Sequence, residues 1–145
     1  MKSVADLGID YEVGHFDCYG NELTSLKGAP SYVGGHFSCF SNKLTSLKGA
    51  PSHVGGHFYC ANNMLTSLKG VHRYIAEIQG NFFASDNPIK SHVLGLLLIK
   101  GIAKIQLDNK QVEEILNRHL DKGRAGMLMA QEELIEAGLE VFAQL

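Results

Sequence analysis

The chain has 145 residues, 45% of them hydrophobic and 19% charged, with a formal net charge of -2; this is the make-up of one folded domain or of a domain plus an appendage and excludes wholesale disorder. Six basic and six acidic residues precede Ser85, and seven basic and nine acidic follow. Neither half carries the surplus of Lys and Arg that neutralises phosphates, so no nucleic acid is expected as a partner. The longest apolar run, residues 93–99, is far too short to span a bilayer, and residues 1–13 have no apolar core flanked by basic residues, so neither secretion nor a membrane is expected.

Residues 1–12 read as an N-terminal cap. From residue 13 the chain repeats itself: Cys18, Cys39 and Cys60 lie 21 residues apart, and whole segments recur with them. The copies are VG-HFDCYGNELTSLKGAPSY, VGGHFSCFSNKLTSLKGAPSH and VGGHFYCANNMLTSLKGVHRY, the hyphen marking a residue the first copy lacks. A fourth, divergent copy emerges when residues 80–87 are laid over residues 56–63, with the step from Cys60 to Ala84 stretched to 24. Three residues are therefore inserted before the last strand, and Pro88 is expected to cut the pattern short where a fourth LTSL would begin. Recurrence at this period is the signature of a solenoid, whose terminal copy departs from the others where it meets its cap.

The string F-x-C-x-x-N-x-L-T-S-L resembles the leucine-rich-repeat pattern L-x-L-x-x-N-x-L, with Phe and Cys replacing two leucines, over residues 13–89. With GG before the strand and L-T-S-L-K-G-A-P after it, the repeat is similar to short repeat proteins of bacteriophages and prophages. The expected fold is an α+β repeat: a short leucine-rich-repeat-like β-solenoid of parallel strands, with three regular coils of 21 residues plus one divergent coil, closed by an α-helical C-terminal cap or module over residues 90–145. The resemblance also implies a class of function, a small phage protein that inhibits a host enzyme or a bacterial defence complex.

Alternation within each short strand points Phe16, Phe37, Phe58 and Phe82 inward with Cys18, Cys39, Cys60 and Ala84. Leu23, Leu44, Leu65 and Ile89 make a third interior column and Leu26, Leu47 and Leu68 a fourth. Asn21, Asn42, Asn63 and Asn87 recur where the chain leaves the strand, and there an amide can satisfy backbone groups of successive coils. The cysteines read as small apolar residues of a column, although parallel stacking leaves a zinc or redox reading open. Three of them would leave one unpaired in an oxidising compartment, which points to a reducing cytoplasm.

Positions that vary between copies are free of the framework. On the outward face the first reads Asp17, Ser38, Tyr59, Phe83 and the second Tyr19, Phe40, Ala61, Ser85, flanked by Gly20, Ser41, Asn62 and Asp86. Aromatics on an exposed sheet are enriched in protein interfaces, so Asp17, Tyr19, Ser38, Phe40, Tyr59 and Phe83 are the expected partner-binding residues. Against this, the C-terminal helices can fold over the face, or the aromatics can serve the sheet alone. His15, His36 and His57 begin the same strands about 4.8 Å apart and supply an alternative, a metal or small-ligand site, or else a pH-sensitive surface; no carboxylate accompanies each one, and Asn81 replaces the fourth. Lys27, Lys48 and Lys69 form a further column, a phosphate ridge or simply a solvated edge.

Beyond the repeats, Asp86-Asn87-Pro88 is expected to open a helical stretch to about Ile99. Residues 102–107 are ambiguous, with a short strand among the options. Asp108 then caps a helix that aligns Val112, Ile115, Leu116, His119 and Leu120, with Gln111 at the capping-box position. Gly123 and Gly126 bracket a turn before a last helix over residues 127–137, which carries Leu128, Gln131, Leu134 and Ile135 at helical spacing and ends near Gly138. Met127 and Met129 are read as packing residues.

No GxxxxGK[ST], HExxH, GxSxG or CxxC occurs in the chain. Some bacterial effectors join similar repeats to a ubiquitin-ligase domain that works through a thiolate, but residues 90–145 hold no cysteine. Asp108, Glu113 and Glu114 cluster where a helix start favours acidic residues through its dipole. The function expected is therefore non-catalytic protein binding by steric occlusion, with no cofactor; a homo-oligomer held by the cap helices or an exposed edge strand is a third possibility.

Overall fold

The structure is a computed structural model that describes residues 2–7 and 14–145. In chain order the described elements are a 3₁₀ turn (Val4–Leu7), β1 (Phe16–Asp17), β2 (Tyr32–Val33), β3 (Phe37–Ser38), β4 (His53–Val54), β5 (Phe58–Tyr59), α1 (Val71–Tyr74), β6 (Glu77–Ile78), β7 (Asn81–Phe83), a second 3₁₀ turn (Leu94–Leu98), β8 (Lys104–Gln106), α2 (Lys110–Asn117) and α3 (Gly123–Glu136). They build a parallel β-solenoid with helices at its C-terminal end. Of the expected N-terminal cap, residues 2–7 lie on the first coil, where Ala5 N donates to Lys27 O and Thr24 N to Lys2 O. Residue 1 and residues 8–12 of that cap, and residue 13 of the solenoid, lie outside the described residues.

The main sheet runs β1-β3-β5-β7-β8, all parallel. Its register lays Phe16, Phe37, Phe58 and Phe82 side by side and then Asp17, Ser38, Tyr59 and Phe83. The phenylalanine, cysteine and leucine columns are buried as their periodicity predicts, with Ile89 half-buried at the end of its column. A second wall, β2-β4-β6, was not foreseen; it packs Val33, Val54 and Ile78 into the same core. The inserted residues before the fourth coil are taken up by α1.

Asparagines of successive coils form a ladder. Asn42 Oδ1 accepts from Asn21 N and Leu23 N, while its Nδ2 donates to Cys18 O and Cys39 O. Asn63 and Asn87 repeat the arrangement one and two coils on. The paired glycines have an equally local cause. A Cβ on Gly56 would fall 2.3 Å from His36 Nδ1, and one on Gly55 would fall 2.2 Å from Gly34 O, so only glycine lets the coils approach there.

Several expectations are corrected. Pro88 does not end the fourth coil: Lys90 N still donates to Thr66 O, and Ser91 pairs with Ser67. Proline falls where Lys43 and Met64 each donate one amide to the coil before, so it forfeits a single rung. The helix expected up to Ile99 is only the 3₁₀ turn Leu94–Leu98, because the chain remains laced to the solenoid on both sides of it, through Ser91 to Ser67 and Lys100 to Glu77. The ambiguous segment holds β8, a fifth strand in the main sheet.

Asn109, not Asp108, caps α2 by accepting from Val112 N, and Gln111 makes no capping box. The Asp108 carboxylate is engaged by the sheet, where it accepts from Asp86 N and from Asn87 N, the second as Asn42 accepts from Asn21 N. The apolar face expected of α2 is buried, with Leu120 half-buried. Gly123 and Gly126 do not bracket a turn: α3 starts at Gly123, and Gly126 lies inside it, where a Cβ would fall 2.5 Å from His119 O. The buried side of α3 is Gly126, Met127, Ala130 and Leu134, whereas Leu128, Met129 and Ile135 are exposed. The close contact at Gly126 is thus with the turn that joins α2 to α3, and the face of α3 that is buried differs from the stripe its hydrophobicity suggests. No helix among the described residues is long and apolar enough to cross a membrane.

Candidate functional site: the outward face of the main sheet

Successive coils set three columns of side chains on the outward face, one of histidines and two that change in opposite directions along the solenoid. The middle one goes from small to large, Asp17 and Ser38 giving way to Tyr59 and Phe83. The outer one goes from large to small, Tyr19 and Phe40 giving way to Ala61 and Ser85. Tyr59 stacks on Phe83 at 4.9 Å and Tyr19 on Phe40 at 5.7 Å. Where the exchange happens, the face sinks into an open recess of about 520 Å³, lined by His15, Phe16, Asp17, His36, Ser38, Phe40 and Tyr59.

The C-terminal helices leave this recess uncovered. Tyr19 is 56% and Phe40 38% exposed, while Tyr59 and Phe83 are half-buried against the neighbouring imidazoles, with edge contacts from His57 at 5.8 and 5.6 Å. Four of the six expected binding residues, Asp17, Ser38, Phe40 and Tyr59, come together around the recess. Tyr19 stands beside it through its stack on Phe40, and Phe83 lies one coil further on behind Tyr59.

The histidine column has a structural task that the sequence did not disclose. His15, His36 and His57 stack at 4.6 and 4.8 Å with planes within about 11° of parallel. Each Nδ1 accepts from a backbone N–H of the next coil: His36 N to His15, His57 N to His36 and Asn81 N to His57, all at 2.8 Å. The acceptor role fixes the neutral ring with its proton on Nε2. Burial, then the proximity of His15 and His57 to any charge on His36, holds the pKa of His36 below its ordinary value. Parallel rings whose Nδ1 lone pairs are already used do not converge on an ion, and among the described residues no three His, Cys, Asp or Glu side chains are grouped to hold a metal.

All three thiols are buried and unpaired. Burial, with a smaller push from Asp17, raises the pKa of Cys18 to about 12, and burial raises Cys39 and Cys60 as well. Cys18 Sγ donates to Ser38 O and Cys39 Sγ to Tyr59 O. Protonated and enclosed, they behave as apolar residues of the column.

Lys27, Lys48 and Lys69 are exposed on turns, each backbone N–H bonded to the serine hydroxyl two residues earlier. The acidic cluster is dismantled by its own contacts: Asp108 serves the sheet, Glu113 Oε1 accepts from Leu107 N and Lys110 Nζ, and Glu114 is exposed. Reasoning from sequence missed one polar cluster, in which Glu133 on α3 accepts from Arg118 Nη2 at 2.9 Å and pairs with His119 Nε2. Those two bonds, Arg118 first, hold the Glu133 carboxyl below its usual value. They tie α2 to α3 and lie away from the recess. No family model, no curated protein and no solved structure matches the chain.

Proposed function

We propose that this chain is a non-catalytic protein-binding module whose outward sheet face occupies a surface of a partner protein and blocks it sterically. The observation that carries the reading is the exposure of Tyr19 and Phe40, two large aromatics on a regular sheet beside an open recess. Such side chains are enriched among the residues that dominate interface energetics. The internal repeat adds an independent argument. Positions needed for stacking are copied from coil to coil, and those that differ gather on this face. The similarity of the repeat to proteins of bacteriophages and prophages extends the proposal to a host bacterial partner, an enzyme or a defence complex, met in the cytoplasm; this part rests on analogy of sequence pattern.

The test is a pull-down from bacterial lysate with the intact protein beside a variant carrying Tyr19→Ser, Phe40→Ser and Tyr59→Ser, both verified as folded by circular dichroism. The expected outcome is a specific partner captured by the first and lost by the second. Equal capture by both would remove the strand face as the site.

A further inference from the structure

Among the described residues the recess carries one formal charge and nothing to balance it. Among the outward positions of the first four main-sheet strands, Asp17 is the sole Asp, Glu, Lys or Arg. Its Oδ1 accepts from Tyr19 N at 2.9 Å, and among the described residues Oδ2 accepts no hydrogen bond. Around it stand flat ring systems: the faces and edges of His15, His36, Phe40 and Tyr59. The imidazoles, whose Nδ1 atoms accept backbone N–H bonds, enter as neutral rings rather than as cations. A carboxylate beside aromatic faces, with no cation among the described lining residues, is complementary to a positively charged, flat group.

We propose that the recess seats an arginine side chain presented by the protein partner, with the guanidinium against the Phe40 and Tyr59 rings and hydrogen-bonded to the Asp17 carboxylate. This rests on the reading of the strand face as an interface and names the chemistry on the other side of it. Guanidinium fits better than ammonium because it is planar, weakly hydrated, stacks on aromatic rings and forks onto a carboxylate. An acidic or phosphorylated ligand is disfavoured by Asp17, and the neutral imidazoles offer no counter-charge to reverse that. The floor is low at this point only because Asp17 and Ser38 are the short members of the middle column; one coil further on, Tyr59 and Phe83 fill the same space.

The test uses the intact protein and two small probes, Nα-acetyl-arginine amide and its neutral isostere Nα-acetyl-citrulline amide, titrated while backbone amide resonances are followed by NMR. The expected result is saturable shifts at Asp17, Ser38 and Tyr59 with the arginine probe, at a dissociation constant on the order of millimolar. Citrulline should bind about fivefold more weakly, and Asp17→Asn should weaken arginine about fivefold while leaving citrulline unchanged. The asparagine keeps an oxygen for the Tyr19 N–H, so the variant retains the local turn. Equal affinity for the two probes, no effect of Asp17→Asn, or no shifts with arginine would each overturn the proposal. Failure of the probes while the aromatic variant still loses its partner removes the arginine seat alone; equal capture in the pull-down removes the interface beneath it.

Discussion

Two repeated polar residues hold this solenoid by opposite logic. Each ladder asparagine uses both ends of its amide: Asn63, 7% exposed, accepts from Leu44 N and donates to Cys39 O and Cys60 O. Alanine there strands a buried N–H, so Asn63→Ala should cost about 3 kcal/mol, read as a lowered urea midpoint. Asn21→Ala, at the more exposed first coil, should cost clearly less. The histidines work only while unprotonated, because a proton on Nδ1 would face the backbone N–H it now accepts from. The depressed pKa of His36 sets the sign. The unfolded chain takes up this proton near the ordinary value of 6.5 and the folded chain resists it, so the contribution to stability is full above that value and is lost as pH falls through the lower folded one. Urea midpoints at about pH 7.5 and about pH 5 should therefore fall on acidification, and His36→Asn should flatten the dependence; an unaltered slope would acquit His36.

The solenoid ends on an element that imitates a coil without being one. On the free edge of β8, Asn117 of α2 accepts from Ile105 N and donates to Ile105 O, both at 2.8 Å, and Glu113 accepts from Leu107 N at the same distance. A side-chain amide thus stands in for the next strand and leaves the edge without a template for pairing. Asn117→Ala should lower stability by about 1–2 kcal/mol and promote association, which thermal melting and light scattering would register together. This arrangement also explains what the sequence could reveal about the elements. The first four strands of the main sheet and the interior columns were legible because the 21-residue copies vote on each position, and a column of three or four like apolar residues has one structural meaning. The cap has a single copy of everything. Asp108 looked like a helix cap by local chemistry, but the sheet claims its carboxylate; Gly126 looked like the end of a turn, but it lies inside α3, where the backbone of His119 packs against it. Neither fact is present in local sequence, since both are set by what lies across the packing interface.

At the scale of the molecule, the candidate site was half legible. The varying positions marked the face, yet the recess arises from two columns exchanging size across coils, which is visible only once the register is fixed. The same one-dimensional build makes stability uneven along the chain, since each coil leans mainly on its neighbours and a terminal coil has one fewer. Among the described residues the two ends are closed unequally. At the C-terminal end the last residues lace the solenoid, with Gly70 N donating to Leu145 O, His92 N to Val141 O and Val93 N to Phe142 O, beneath two helices. At the other end the described residues offer the short turn Val4–Leu7. The cysteines, one in each of the first three coils, are built-in reporters of this asymmetry. Alkylation needs a thiolate in contact with reagent, and all three thiols are buried with raised pKa values, so labelling follows opening of the coil. With iodoacetamide under native conditions and site-resolved mass spectrometry, Cys18 should be modified first and Cys39 and Cys60 later and more nearly together, with the order erased in denaturant. Cys60 reacting first would place the weak end at the cap, and equal rates at all three would show that the coils open as one unit.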